Sequence, residues 1–567
     1  MKKLSLLFIT VFLFSVTSCF FGSSYTSYDF PDNTYYYTIP QDAEKIYFSD
    51  FHDGKKCYLI YSNETNQNLY SSEDTIDFNF LNKGESRSAV SDSNIIIDKH
   101  VVKLDNGIYR DEVRFKKPEI KINNSSRSAV SGFSRNYNSL LTQNLTTGDQ
   151  GQFFGITGAN DSITSNTYTL KAIGSHCRIW YYHNSNLVSI PDQKFVDLAQ
   201  TLDSVFVEET SIFGSNIISP QVARNEAITA DSNTKLEVLV YDLFGDATSN
   251  QTSGVFGFFN PTDIFLNSAL ASQRYSQTSN ECEVIHVDSY FLQKDLEGYT
   301  ANGRNIQTYY VESTLIHEFQ HLLNFCNKYG QYETWFTEML SMCAEDVFKL
   351  DDLSAPKSRF DIYFDKPYQG FGNWPDDDND TVLYSYANAY AFGAYLMRNY
   401  GGINLINKIA TNNYTNEGAI TKALQDLGYN ETFYTVFEKF GSVYACTDSS
   451  GLSLNKSITS SVNGISKTLE AINLTDYAFH EYSSLYALKS DVNNKLYYDI
   501  NNLGWFETSD KTKFYLRGPR IFNNEYEFSE AIQPYGFIVH YVGRVSSGDY
   551  VIIDRESELN VTLVLKD

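Results

Sequence analysis

The stretch Ser313–Phe325, STLIHEFQHLLNF, constrains this chain more than any other. At about 100° per residue on a helix, His321 lies only ~40° from His317, one turn further on. Leu315, Phe319, Leu322 and Cys326 fall at about 140–200° on the same wheel. The spacing therefore predicts a helix that backs onto a core while two imidazoles share the opposite face. Glu318 projects beside the point where those imidazoles converge. This is the H-E-x-x-H pattern, in which two neutral imidazoles bind Zn²⁺ and the glutamate takes a proton from water that the metal acidifies. A solvated polar face is the bland alternative.

A catalytic zinc of this kind needs a third protein ligand and an open fourth position. The turn Asn327–Gly330 leads into YETWFTEMLSMCAEDVFKL, residues 332–350, which reads as a second helix antiparallel to the first. Phe336, Met339, Leu340, Cys343 and Val347 form its apolar stripe, and Glu338 and Glu345 share the opposite face. Glu338, separated from His321 by sixteen intervening residues, is the expected third ligand. Glu345, two turns later, is either an exposed carboxylate or the partner that orients a histidine ring through its free N–H.

HEFQHLLNF followed by ETWFTEMLSMCAED resembles the zinc neutral proteases of the hyicolysin family, which are similar to thermolysin-type gluzincins in using His, His and Glu. The upstream runs RIWYYH…FVDLAQTLDSVF and LEVLVYDLFGD…GVFGFFNPTDIF resemble the same family, as does YSYANAYAFGAYLMRNYGG downstream. The resemblance spans roughly residues 170 to 445, with a His321–Glu338 gap slightly shorter than in the best-known gluzincins. It implies hydrolysis of protein or peptide substrates through one catalytic zinc, with Glu318 as general base. It also implies an oxyanion donor, for which Tyr384, Tyr386 and Tyr390 are candidates, Tyr386 first. The strand ECEVIHVDSYFL is the candidate for pairing with an extended substrate, and His286 within it reads as an ordinary half-buried histidine.

The expected architecture is α+β: a zincin-like metallopeptidase core, built of a mixed sheet and a helical subdomain, flanked by amino- and carboxyl-terminal β domains. Its 567 residues exceed what one core usually organises. The segments read as a leader at 1–18, a β domain at 19–120, a Ser/Asn-rich linker at 121–164, the catalytic domain at 165–449 and a second β domain at 450–567. The 43 Tyr and 40 Phe favour strands and extended packed surfaces. The hexapeptide SRSAVS occurs at 86–91 and 126–131, in flexible loops or at processing sites.

A formal charge of −25 with no basic stripe argues against nucleic-acid binding. The start, MKKLSLLFITVFLFSVTSC, reads as a lipoprotein signal peptide with Cys19 as the lipidated residue. The expectation is an exported protein anchored to the bacterial cell envelope by lipid alone. The six later cysteines show no C-x-x-C pair and allow fifteen pairings. Cys326 and Cys343, on apolar faces, read as buried fillers. The run PDDDND, 375–380, could hold Ca²⁺ but lacks an EF-hand's closing glutamate, so a solvated acidic loop is favoured. A surface adhesin with a secondary or degenerate protease centre is the rival reading. The oligomeric state is not legible.

Overall fold

The computed structural model describes, with short breaks, residues 35–65, 144–446, 451–474 and 531–567, together with isolated short stretches elsewhere. The leader, Cys19, both SRSAVS copies and Asp376–Asp378 of the acidic run lie outside the described residues. The fold is α+β.

The strands of the amino-terminal region that bear on the main sheets are β1 (Tyr28–Asp29), β2 (Tyr35–Ile39) and β3 (Lys56–Ser62). Six further strands are β4 (Gln150–Gly158), β5 (Ser162–Ile173), β6 (Cys177–Tyr181), β7 (Leu236–Tyr241), β8 (Gly257–Phe258) and β9 (Val284–Asp288). They form one mixed sheet in the order β8-β9-β7-β6-β5-β4. β6, β7 and β9 run parallel, and β4, β5 and β8 are antiparallel to their neighbours. LEVLVY of β7 is buried at every position, as a central strand covered on both faces must be. Its one charge, Glu237, accepts hydrogen bonds from Arg178 Nη1 and Trp180 Nε1, each at 2.6 Å, so no carboxylate oxygen is left bare in the core.

The crossover from β6 to β7 carries helix α1 (Asp192–Phe213). Its stripe Leu198, Leu202, Val205, Phe206 and Phe213 is buried against the sheet and against α2 (Tyr310–Lys328). Phe206 stacks on Phe319 of α2, with ring centroids 4.9 Å apart. α3 (Thr334–Phe348) then packs on α2, and α4 (Asn379–Tyr400) packs on α3. α4 stops at Gly401 and Gly402, whose φ values of 123° and 63° suit glycine alone.

Two sequence expectations change here. The stretch read as a linker to residue 164 already contains β4, which pairs with β5 from Gln150↔Thr169 onward. Its Gly, Ser, Thr and Asn content resembles a linker because the outer face of this hairpin is solvated. The second concerns the two flanking β domains. β10 (Phe537–Arg544) and β11 (Asn560–Lys566) join the amino-terminal strands in a single antiparallel sheet, ordered β1-β2-β11-β3-β10. Alternation within a strand says which face is apolar, but pairing between chain ends leaves no local mark.

All six later cysteines are buried, Cys326 and Cys343 among them. Among the described residues no helix is long and apolar enough to cross a membrane.

His540 of β10, opposite Leu59 of β3, is buried, and burial pushes its imidazole down to about 3. The unfolded chain protonates this ring near pH 6.5, so it binds more protons than the folded chain between about pH 3 and 6.5. Stability is therefore full above about pH 6.5 and declines toward pH 3 by about 1.4 kcal/mol per unit. Replacing His540 with Leu is expected to remove about 3 kcal/mol of the fall between pH 6.5 and 4.5. Urea unfolding at both pH values checks this, and equal slopes for the two proteins would contradict it.

Candidate metal centre

The histidine helix is enclosed on both sides. Leu315, Phe319, Leu322 and Cys326 are buried as their place on the wheel requires, and His317 on the other face is 0% exposed beneath α3. A solvated polar face is thereby excluded for His317. Tyr329 and Gly330, both at positive φ, turn the chain so that α3 returns antiparallel along α2.

That return brings His317, His321 and Glu338 together, with one potential ligand atom from each lying within 4.8 Å of the others. Glu338 Oε2 stands 3.2 Å from His317 Nε2 and 3.5 Å from His321 Nε2. Ligand bonds of ~2.0–2.1 Å at tetrahedral angles would separate ligand atoms by about 3.3 Å. The donor set, two imidazole nitrogens and one carboxylate oxygen, is the one that leaves a fourth position open on zinc. These residues therefore fit a tetrahedral divalent metal in both chemistry and spacing.

The far sides of both rings are held as metal-binding imidazoles require. His317 Nδ1–H donates to Glu345 Oε1 at 2.6 Å, and Glu345 Oε2 accepts from Ser313 Oγ at 3.0 Å. A carboxylate only accepts, so the Nδ1 proton is fixed and Nε2 presents its lone pair toward Glu338. Glu345 is 0% exposed, which removes the alternative of a surface carboxylate. His321 Nδ1 is held differently, by Thr337 Oγ1 at 2.9 Å and Ser341 Oγ at 3.1 Å. Ser341 donates onward to Gln320 Oε1 at 2.6 Å, so its oxygen is free to accept from the ring. Only the His321 side of the cluster is open, with 14% of that side chain exposed against 3% for Glu338.

Glu318 lies beside this cluster and outside it. Its Oε2 accepts from the backbone N–H of Phe259 at 2.9 Å, just past strand β8. β8 reaches so close because residue 257 is glycine. A Cβ there would stand 2.8 Å from Thr314 Cγ2 and 2.7 Å from the His286 carbonyl oxygen. β8, and not β9, is the edge of the mixed sheet. β9, expected to pair with substrate, is hydrogen-bonded to β7 on one side and to β8 at His286 and Val287 on the other. The sequence shows an apolar strand there but not its place in the order.

His286 is fully buried and stands apart from the cluster. Its Nε2 donates to Asp263 Oδ2 at 2.8 Å, and Tyr241 O–H donates to its Nδ1 at 3.0 Å. Tyr386 is buried in α4 with its ring edge-on to Trp374 and beneath the Arg359 guanidinium, 4.7 Å from the ring centroid.

Ser313, Thr337, Ser341 and Glu209 are partners of the site that escaped the sequence reading. Thr337 and Ser341 flank Glu338 and look like ordinary helix hydroxyls until α2 is placed beside them. Glu209 of α1 is 0% exposed, and neither carboxylate oxygen has a hydrogen-bond partner among the described residues. Burial holds its carboxyl well above the usual range, and the neighbouring His317 opposes that shift. Its signal was present: Glu209 continues the apolar stripe Leu202, Val205 and Phe206, where an acid is out of place.

No family model matches the chain. The neutral metalloprotease ShpI of Staphylococcus hyicus is 25% identical over 241 residues, 40% of this chain and 46% of that protein. The chain thus spans just under half the length of this relative.

Proposed function

We propose that this protein is a zinc-dependent endopeptidase with a zincin-like core, in which His317, His321 and Glu338 hold the metal and Glu318 is the general base. The observation that carries this reading is the approach of both Nε2 atoms to one oxygen of Glu338, with the opening on the His321 side. Zinc bound there would supply a Lewis acid that acidifies water and polarises a carbonyl. The chain's own residues do the rest. Glu345 and Ser313 hold the His317 ring, and Thr337 and Ser341 hold that of His321. Glu318 accepts a proton from the attacking water and delivers it to the leaving amine. Its bond to Phe259 N–H fixes one oxygen of the carboxylate. An extended peptide would lie along β8, the edge strand beside that carboxylate. Tyr386 remains the nominated oxyanion donor, and the exported, lipid-anchored location rests on the leader and Cys19.

The test is casein and peptide-library cleavage by protein prepared from envelope fractions. Treatment with 1,10-phenanthroline should abolish cleavage, and about one equivalent of zinc per chain should restore it. Cleavage that survives complete metal removal would defeat the proposal. In the same preparations, Cys19→Ser should move the protein from the membrane pellet to the supernatant; continued sedimentation would remove the lipid anchor.

A further inference from the structure

We propose that residues 35–65 are a permanent structural part of the working protein rather than a pro-segment that departs on maturation. The partner it fits is the slot between two carboxyl-terminal strands of the same chain. β3 pairs with β10 from Phe537↔Ser62 to Arg544↔Lys56. On its other side it pairs with β11 from Asn560↔Ser62 to Lys566↔Lys56. β2 then covers the far edge of β11, from Tyr35↔Leu565 to Ile39↔Val561. Withdrawing residues 35–62 would strip β11 of both neighbours and bare one edge of β10, exposing three rows of backbone donors and acceptors.

Side chains lock the same segment into the rest of the body. Leu59 and Ile60 are 0% exposed. Ile60 sits over Gly441, where an added Cβ would stand 2.5 Å from its Cγ2. Leu452 N–H donates to Tyr36 Oη at 2.6 Å, and Lys55 pairs with Asp567 at 2.7 Å.

A path of contacts also runs from this strand to the metal cluster. Asn63, at the end of β3, bonds through Nδ2 to the Ile532 carbonyl and through its backbone to Tyr535 and Gly536. Tyr535, held between those bonds, packs edge-on against Trp335, with ring centroids 5.8 Å apart. Trp335 is in the first turn of α3, one turn before Glu338. The amino-terminal strand thus braces the loop on which the Glu338 helix rests. A pro-segment that left would take this brace with it. This inference concerns association within the fold; only the zinc readout below rests on the proposed metal site, and co-elution of the two pieces tests the inference without it.

The experiment uses the full chain with one site-specific protease recognition sequence inserted between residues 70 and 90. The folded protein is cut and run on native size exclusion, and its zinc is titrated against a chelator before and after. The expected result is one native peak holding both pieces in equal amounts, unchanged zinc retention, and separation only in denaturant. Because folding precedes the cut, failure to refold plays no part. Release of the small piece overturns the proposal, whether the large piece stays folded, gains activity or precipitates.

Discussion

Glu318→Gln is expected to lower kcat/KM for peptide cleavage by about 10²–10⁴-fold while the protein still carries its zinc. Glu318 is absent from the cluster of potential ligands, so the replacement removes no donor from the metal. It also preserves shape. The Gln carbonyl oxygen can accept from Phe259 N–H as Glu318 Oε2 does, which keeps the side chain packed beside Gly257. What disappears is a group able to take a proton from water. Metal analysis and cleavage kinetics on both proteins decide the matter. Cleavage within a few-fold of wild type, with zinc at full occupancy, would place the base elsewhere. If the chain is chiefly a surface adhesin, the variant should bind its target unchanged.

Glu338→Ala should act on the metal itself. Its Oε2 is the point both Nε2 atoms face, and no other carboxylate belongs to the cluster found among the described residues. Loss of an outer partner such as Glu345 typically costs 10–100-fold in metal affinity. Loss of a direct ligand should cost more than about 100-fold, leaving two imidazoles whose orientation is still held by Glu345, Thr337 and Ser341. Competition with a zinc-binding dye measures this. A variant that retains zinc as tightly as wild type would show that Glu338 is an ion-pair partner of the histidines and not a ligand.

Much of the site was legible because it depends on spacing within single helices. The 40° offset of His317 and His321 follows from helix geometry, and the short turn before α3 requires an antiparallel return that sets Glu338 opposite them. Glu345 could be read only as one of two things, since an acid on a polar helix face looks the same whether water or another helix covers it. Thr337 and Ser341 carried no signal at all, because a hydroxyl gains meaning only from what lies across from it. Glu209 carried one that was overlooked, an acid within an apolar stripe.

The chain's local order thus determined the histidine helix, its companion and the identity of the three converging side chains, because helical periodicity is a property of neighbours in sequence. Only the tertiary structure decided which strand forms the sheet edge beside Glu318, and that the two ends of the chain share one sheet. Strand pairing is a long-range choice made by burial and backbone hydrogen bonding, and residues 56–62 hold nothing that names residues 537–544 as their partner.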